Sequence, residues 1–286
     1  MRNVLITGAT GFIGKHVIMT LQRIAPTCNI IATSRNPDRA RHCQWFGQVD
    51  YVPFDLHQVR EDFYLRFKKP DTVIHLAWNG LPCYDEPFHV EEILPAHCLF
   101  LRNIIEGGVQ NLVVAGTCYE YGLQNGCLSE DDFTSPVTQY GLAKDTLRRY
   151  CEMLAADRDV HFNWARLFFL HGEGQNPSSL LPLLKAAVER GDKVFNMSGG
   201  EQLRDYLSVD KAAYYLCLLA LQKTIDGIVN ICSGKPISVR QLVEKNILEA
   251  KAPIKLSLGY YPYSNYEPMA FWGDATKLQK VLGSHQ

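Results

Sequence analysis

Apolar positions along the chain fall into short β-branched runs separated by longer stretches of helical period. Residues 4–7, 30–34, 51–54, 72–76, 112–115 and 162–167 are rich in Val, Ile, Leu, Thr and Phe with few charges, as strands buried on both faces require. Between them, residues 13–24, 37–43, 59–67, about 89–106 and 139–156 read as amphipathic helices. Such alternation predicts parallel strands joined by right-handed helical crossovers. After residue 167 it breaks, with Gly172, Gly174, Pro177 and Pro182 ahead of a helix over 180–190 and a turn at Gly199-Gly200. A helix over about 209–222 and a strand over 227–231 predict a return to the sheet. The expected class is α/β: a doubly wound parallel sheet with a smaller C-terminal domain. Residues 1–167 plus about 205–232 would form the sheet domain, and about 168–204 plus 233–286 the smaller, discontinuous one.

Composition narrows the partners. A chain of 286 residues with 47% hydrophobic content can bury a large core, and a net charge of −1 supplies no field for gripping nucleic acid or an anionic membrane. Any anionic ligand must be held locally. The start, Met1-Arg2-Asn3-Val4-Leu5-Ile6-Thr7-Gly8, is too quickly broken to resemble a secretory leader, and no apolar run reaches membrane-spanning length, so a soluble, cytoplasmic protein is expected. Nine cysteines are scattered without a C-x-x-C pair, which suggests neither a zinc site nor a disulfide framework.

The first strand runs into Gly8-Ala9-Thr10-Gly11-Phe12-Ile13-Gly14 and then a helix. Gly8 permits the tight turn, Gly11 lets a pyrophosphate approach the backbone, and Gly14 lets helix pack on strand, the Rossmann arrangement for a dinucleotide. The second strand ends Thr33-Ser34-Arg35, without the Asp or Glu that would bind both ribose hydroxyls of NAD. Ser34 and Arg35 can instead hold a 2′-phosphate, which favours NADP, with NAD as second choice. Farther on, Tyr140 and Lys144 stand four apart on one face of a predicted helix. A lysine beside a phenol is expected to lower the phenol's pKa and make Tyr140 a proton donor or acceptor.

With these motifs in order, the chain resembles the extended short-chain dehydrogenases of the NAD-dependent epimerase/dehydratase family: nucleotide-sugar epimerases, dehydratases and 4-ketoreductases. Further matching segments are Phe54-Asp55-Leu56, His75-Leu76-Ala77, Gly116-Thr117, Tyr121-Gly122, Arg166-Leu167-Phe168, Arg204-Asp205-Tyr206, Val209-Asp210 and Asn230-Ile231-Cys232-Ser233-Gly234. The resemblance implies Thr117, Tyr140 and Lys144 as the catalytic triad. It implies a cofactor site of Gly8, Thr10, Gly11, Phe12, Ile13, Gly14, Ser34, Arg35, Asp55, Leu56, Leu76, Ala77 and Phe168, with Tyr140 and Lys144. The substrate side would comprise Trp78, Thr117, Cys118, Tyr119 and Phe169, with Arg204 on the diphosphate of a sugar nucleotide. The sheet domain would then bind NADP and the smaller one substrate. The resemblance also implies a homodimer through the helices at 89–106 and 139–156.

Departures select among family members. Family dehydratases carry Asp-Glu straight after the catalytic Thr, whereas Cys118-Tyr119 stands here, and Glu120 falls one residue too far along, on the opposite face of an extended segment. The choice that remains favours NADPH-dependent reduction of the C4 ketone of a nucleotide-linked 4-keto-6-deoxy sugar in deoxysugar biosynthesis, with a lean towards dTDP-sugars. The alternatives are an NAD-dependent nucleotide-sugar 4-epimerase and a non-catalytic regulator that senses NADP.

Overall fold

The computed structural model describes residues 2–57 and 62–283. Its first part runs β1 (Asn3–Thr7), α1 (Phe12–Ile24), β2 (Asn29–Ser34), α2 (Pro37–Arg41), β3 (Asp50–Pro53), α3 (Phe63–Arg66), β4 (Thr72–His75), α4 (Leu94–Gly107), β5 (Asn111–Thr117), β6 (Gly126–Leu128), α5 (Gln139–Ala156) and β7 (His161–Leu167). Of the helix expected at 59–67, residues 59–61 lie outside the described residues and α3 covers Phe63–Arg66. The second part runs β8 (Phe169–His171), α6 (Leu180–Arg190), β9 (Val194–Asn196), β10 (Leu203–Ser208), α7 (Val209–Leu221), β11 (Gly227–Ile231), β12 (Pro236–Ser238), α8 (Val239–Ala250), β13 (Lys255–Ser257), β14 (Phe271–Gly273) and α9 (Thr276–Gly283).

Seven strands form one sheet in the order β11-β7-β5-β4-β1-β2-β3, and each adjacent pair is parallel. Strand order reverses between β1 and β4, where a crevice opens beyond the carboxyl ends of the strands. Alternation along β1 feeds both faces. Val4 and Ile6 join Val17 and Leu21 of α1, Leu216 of α7 and Leu278 and Val281 of α9 in one core. Leu5 points the other way, to Phe63, to Phe100 and Ile104 of α4, and to Leu147 of α5. The fold is thus the expected doubly wound sheet.

Beyond β7 the elements are shorter. Three-residue strands β8 and β12 flank β10, β9 pairs with β13, and β14 pairs with β6. A separate cluster of Leu184, Ala187, Phe195, Met197, Val239 and Val243 holds α6 and α8 together. The sequence reading lacks the three-residue strands because so short a run shows no period, and it lacks the six-residue β10 because Arg204-Asp205 interrupt its apolar positions.

Candidate active site

The crevice at the β1 and β4 ends is shaped by backbone. Gly8 has φ +68°, and a Cβ there would stand 2.9 Å from the Ala77 nitrogen. A Cβ on Gly14 would stand 2.3 Å from the Gly8 carbonyl oxygen, so only glycine lets α1 lie this close to β1. Gly11 caps α1 without any side-chain hydrogen bond, which leaves the first-turn N–H groups open to an anion, as a dinucleotide pyrophosphate requires. Thr7 Oγ1 accepts from the Leu76 and Ala77 nitrogens at 3.1 and 3.2 Å and fixes the chain leaving β4.

This groove brings together nine of the expected residues: Gly8, Thr10, Gly11, Ser34, Arg35, Asp55, Leu56, Leu76 and Ala77. His97, which stands where the family often has an Asn that helps arrange the site, lines it too, and Asn36, Arg39 and Asn79 line it and escape the sequence reading. A signal for two of them exists. Asn36-Pro37 is a helix start, and the Asn36 side chain accepts from the Asp38 and Arg39 nitrogens, opening α2 so that Arg39 joins Arg35 at the groove. Phe12 and Ile13 stand outside the groove: Ile13 packs on the core and Phe12 lies edge-on to His16. Phe168 is also not among the groove's lining residues, and its ring is buried with Cys118, Tyr121, Cys232 and Phe271 in an apolar cluster.

At the inner end of the groove stand Thr117, Tyr140 and Lys144, all buried. Thr138 caps α5 by accepting from the Gly141 nitrogen, and the helix then presents Tyr140 and Lys144 on its buried face. Lys144 Nζ donates to the Ala115 carbonyl at 2.9 Å and sits 3.9 Å above the Trp78 ring. Burial brings its pKa down to about 7, against the attraction of Glu120. Trp78, expected on the sugar side, is therefore found under Lys144 at the cofactor groove. Tyr140 also differs from expectation. Burial first, then Tyr84, push its pKa up, while a hydrogen bond with Thr117 acts in the other direction. The expected lowering fails because the ammonium is turned to Ala115 and Trp78.

The segment after Thr117 does not stay extended. It winds into a short 3-10 turn, Cys118–Tyr121, in which Glu120 reaches back to accept from the Thr117 nitrogen at 2.8 Å. Glu120 is fully buried, paired with Arg166 at 2.8 Å and bonded by Trp164 Nε1 at 2.9 Å. It is a brace for the turn and is unavailable as an acid or base. Cys118 is buried in the cluster around Phe168, and its thiol is pushed up by burial.

A second cavity of about 560 Å³ opens beyond this turn, lined by Phe169, Arg204, Tyr206 and Glu267 among others. Its size suits a small organic ligand. Arg204 is almost fully buried against the Phe169 and Phe271 rings and pairs with Glu267 at 2.8 Å. Tyr119, next to the triad, donates to the other oxygen of Glu267 at 2.5 Å. Glu267 is thus a site residue that sequence reasoning misses, since it lies 63 residues from Arg204 in an irregular segment.

Comparison with known proteins places this geometry. The family model described as "NAD dependent epimerase/dehydratase family" matches residues 4–232. A dTDP-6-deoxy-L-talose 4-dehydrogenase (NAD(+)) of Aggregatibacter actinomycetemcomitans is 27% identical over 95% of this chain and 99% of its own length. A dTDP-4-dehydro-6-deoxyglucose reductase of Escherichia coli is 26% identical over 90% of this chain and 84% of its own. The structure of MoeE5 in complex with UDP-glucuronic acid and NAD superposes with a TM-score of 0.82 at 28% identity, covering 98% of this chain and 92% of MoeE5.

Proposed function

Because the chain belongs to the NAD-dependent epimerase/dehydratase family, we propose that it reduces the C4 ketone of a nucleotide-linked 4-keto-6-deoxy sugar with NADPH, preferring a dTDP-sugar. One observation carries this reading: Tyr140 is buried beside Thr117, where burial disfavours its ionised form, while the neighbouring carboxylate, Glu120, is consumed by Arg166 and Trp164. A neutral phenol is a proton donor, which suits reduction of a ketone. The site then has what hydride transfer needs and lacks the acid/base pair of a dehydratase.

When bound, the nicotinamide supplies hydride to the sugar C4. Tyr140 gives its proton to the C4 oxygen, and Thr117 orients that oxygen by a hydrogen bond. Lys144, held by the Ala115 carbonyl and Trp78, binds the cofactor ribose. Arg204 holds the sugar-nucleotide diphosphate, in exchange for its bond to Glu267. NADP is favoured over NAD because Arg35 and Arg39 both line the groove with Ser34, and two guanidiniums suit a 2′-phosphate. The names of the two curated relatives support C4 redox chemistry on a dTDP-linked 6-deoxy sugar, although one of them is named for NAD(+).

This reading keeps residues 1–167 plus about 205–232 as the cofactor domain and about 168–204 plus 233–286 as the substrate domain, supported by the separate cluster around Leu184 and Val243. Within the latter span, α9 packs back on the sheet. The reaction belongs to deoxysugar biosynthesis in the cytoplasm. The protein would pair as a homodimer through α4 and α5, where Leu142 and Met153 are exposed on α5.

The deciding experiment follows NADPH absorbance with dTDP-, GDP-, CDP- and UDP-4-keto-6-deoxy sugars, each repeated with NADH. Stoichiometric NADPH oxidation with the dTDP-sugar is expected. No oxidation with any sugar, together with NAD retained through purification, would replace this reading with a 4-epimerase.

A further inference from the structure

Between β4 and α4 the chain folds back on itself around His89. This residue opens a π turn, His89–Ile93, and is fully buried. Trp78 Nε1 donates to His89 Nδ1 at 3.2 Å, and His89 Nε2 lies 2.9 Å from the Cys83 carbonyl oxygen. An indole nitrogen only donates and a carbonyl only accepts. One state satisfies both contacts: a neutral imidazole with its hydrogen on Nε2.

These two bonds tie together two sides of the active site, whose Trp78 and Tyr140 rings also meet edge to face at 5.9 Å. On one side the Trp78 ring, stacked at 6.2 Å on His89, carries the Lys144 ammonium 3.9 Å above it. On the other, Cys83 leads directly into Tyr84, whose carbonyl accepts the Tyr140 N–H at 2.9 Å and whose ring lies 5.7 Å from that of Tyr140. His89 itself lies 5.4 Å from the Tyr140 ring. Gly80, at φ +80°, lets the loop close flat, since a Cβ there would come within 2.3 Å of the Phe88 ring and 3.3 Å of His89 Cε1.

We propose that His89 is a positioning residue that clasps Trp78 beneath Lys144 and the 79–88 loop against Tyr140, setting the spacing of the two catalytic side chains. It is fully buried and lines neither the groove nor the cavity. The proposal rests on the catalytic roles given to Tyr140 and Lys144 above. Burial lowers the imidazole pKa and Lys144 lowers it further, while the Cys83 carbonyl and the Glu86 carboxylate act the other way. The clasp therefore stays in its neutral form near pH 7, whereas a protonated ring would donate from both nitrogens and lose the Trp78 bond.

The test compares His89→Gln with His89→Phe in the full chain. Glutamine offers an oxygen to Trp78 and an N–H to Cys83, whereas phenylalanine fills the space and offers neither. His89→Phe should lower kcat by up to about a hundredfold with little change in sugar-nucleotide KM, and His89→Gln should restore most of it. Equal kcat in the two variants overturns the proposal. Independently of any turnover, 15N NMR of histidine-labelled wild-type protein should show His89 as the neutral Nε2–H tautomer. Trp78→Phe leaves Nε2–H on the Cys83 carbonyl and should shift the Nδ1 resonance alone, as that nitrogen loses its donor; an unchanged Nδ1 resonance overturns the clasp even if His89→Phe does not fold. The opposite tautomer, or a protonated ring at pH 7, refutes the clasp. An enzyme with the expected tautomer that reduces none of the sugars would instead refute the functional reading alone.

Discussion

The groove and the cavity on either side of Tyr140 are made of different material. The groove's inner wall, at the ends of β1 and β4, is main chain: the glycine turn, the start of α1 without a side-chain cap, and the β4 exit held by Thr7. All of it comes from short segments at the ends of neighbouring strands. The cavity is made of side chains that arrive from β8, α6, β9, β10 and the segment before β14, and its buried guanidinium, Arg204, is compensated by Glu267. A wall of backbone cannot yield to extra volume but needs no distant partner. A wall of side chains yields in size and depends on distant partners.

The contrast is broken hardest at the turn. Gly14→Ala forces a methyl against the Gly8 carbonyl, and overpacking of this kind costs about 1–3 kcal/mol. Loss of NADPH binding in calorimetry and a Tm lower by several degrees are expected; an unchanged Kd would show that the backbone fit is looser than drawn. On the cavity side, Arg204→Met should raise the sugar-nucleotide KM roughly tenfold to a hundredfold, as loss of a charge-assisted hydrogen bond of about 1.5–3 kcal/mol implies. NADPH affinity should stay as it was, and a parallel loss there would mean the two halves are one site. Arg39→Ala sharpens the groove's own chemistry: NADPH should bind about tenfold more weakly, a loss near 1.4 kcal/mol, with NADH unaffected. The smallest effect is on pH dependence. Lys144, with its pKa brought down to about 7, is an ammonium below that pH and an amine above it. Cofactor kcat/KM should therefore fall as pH rises through 7, and this limb should vanish in Lys144→Met.

The same division explains what the sequence discloses. Gly8, Gly11 and Gly14 are visible because a backbone requirement leaves one residue type at each place. Tyr140 and Lys144 are visible because helical spacing puts them on one face. Arg204 is visible as a cation, but its partner Glu267 is not, because no local rule links residues 63 apart. Trp78 shows a related limit: a residue just past a strand end can turn to either cavity, and no local spacing discloses its contacts with Lys144 and His89. The Tyr140 proton shows a further limit. Charge proximity on a helix predicts a lowered pKa, and burial, which no spacing reveals, pushes it up.

The strand order carries a consequence for how the chain must be made. β7 pairs on one side with β5, already synthesised, and on the other with β11, which comes only after β8, α6, β9, β10 and α7. While the ribosome lays down residues 168–226, the growing protein carries a sheet whose β7 edge, His161–Leu167, is open to any strand that meets it. Asn163 on that edge later donates its side-chain N–H to the Ile225 carbonyl at 2.9 Å, just ahead of the closing strand. A premature stop within this interval would release a chain with its sheet unfinished, and translation speed there becomes a determinant of soluble yield.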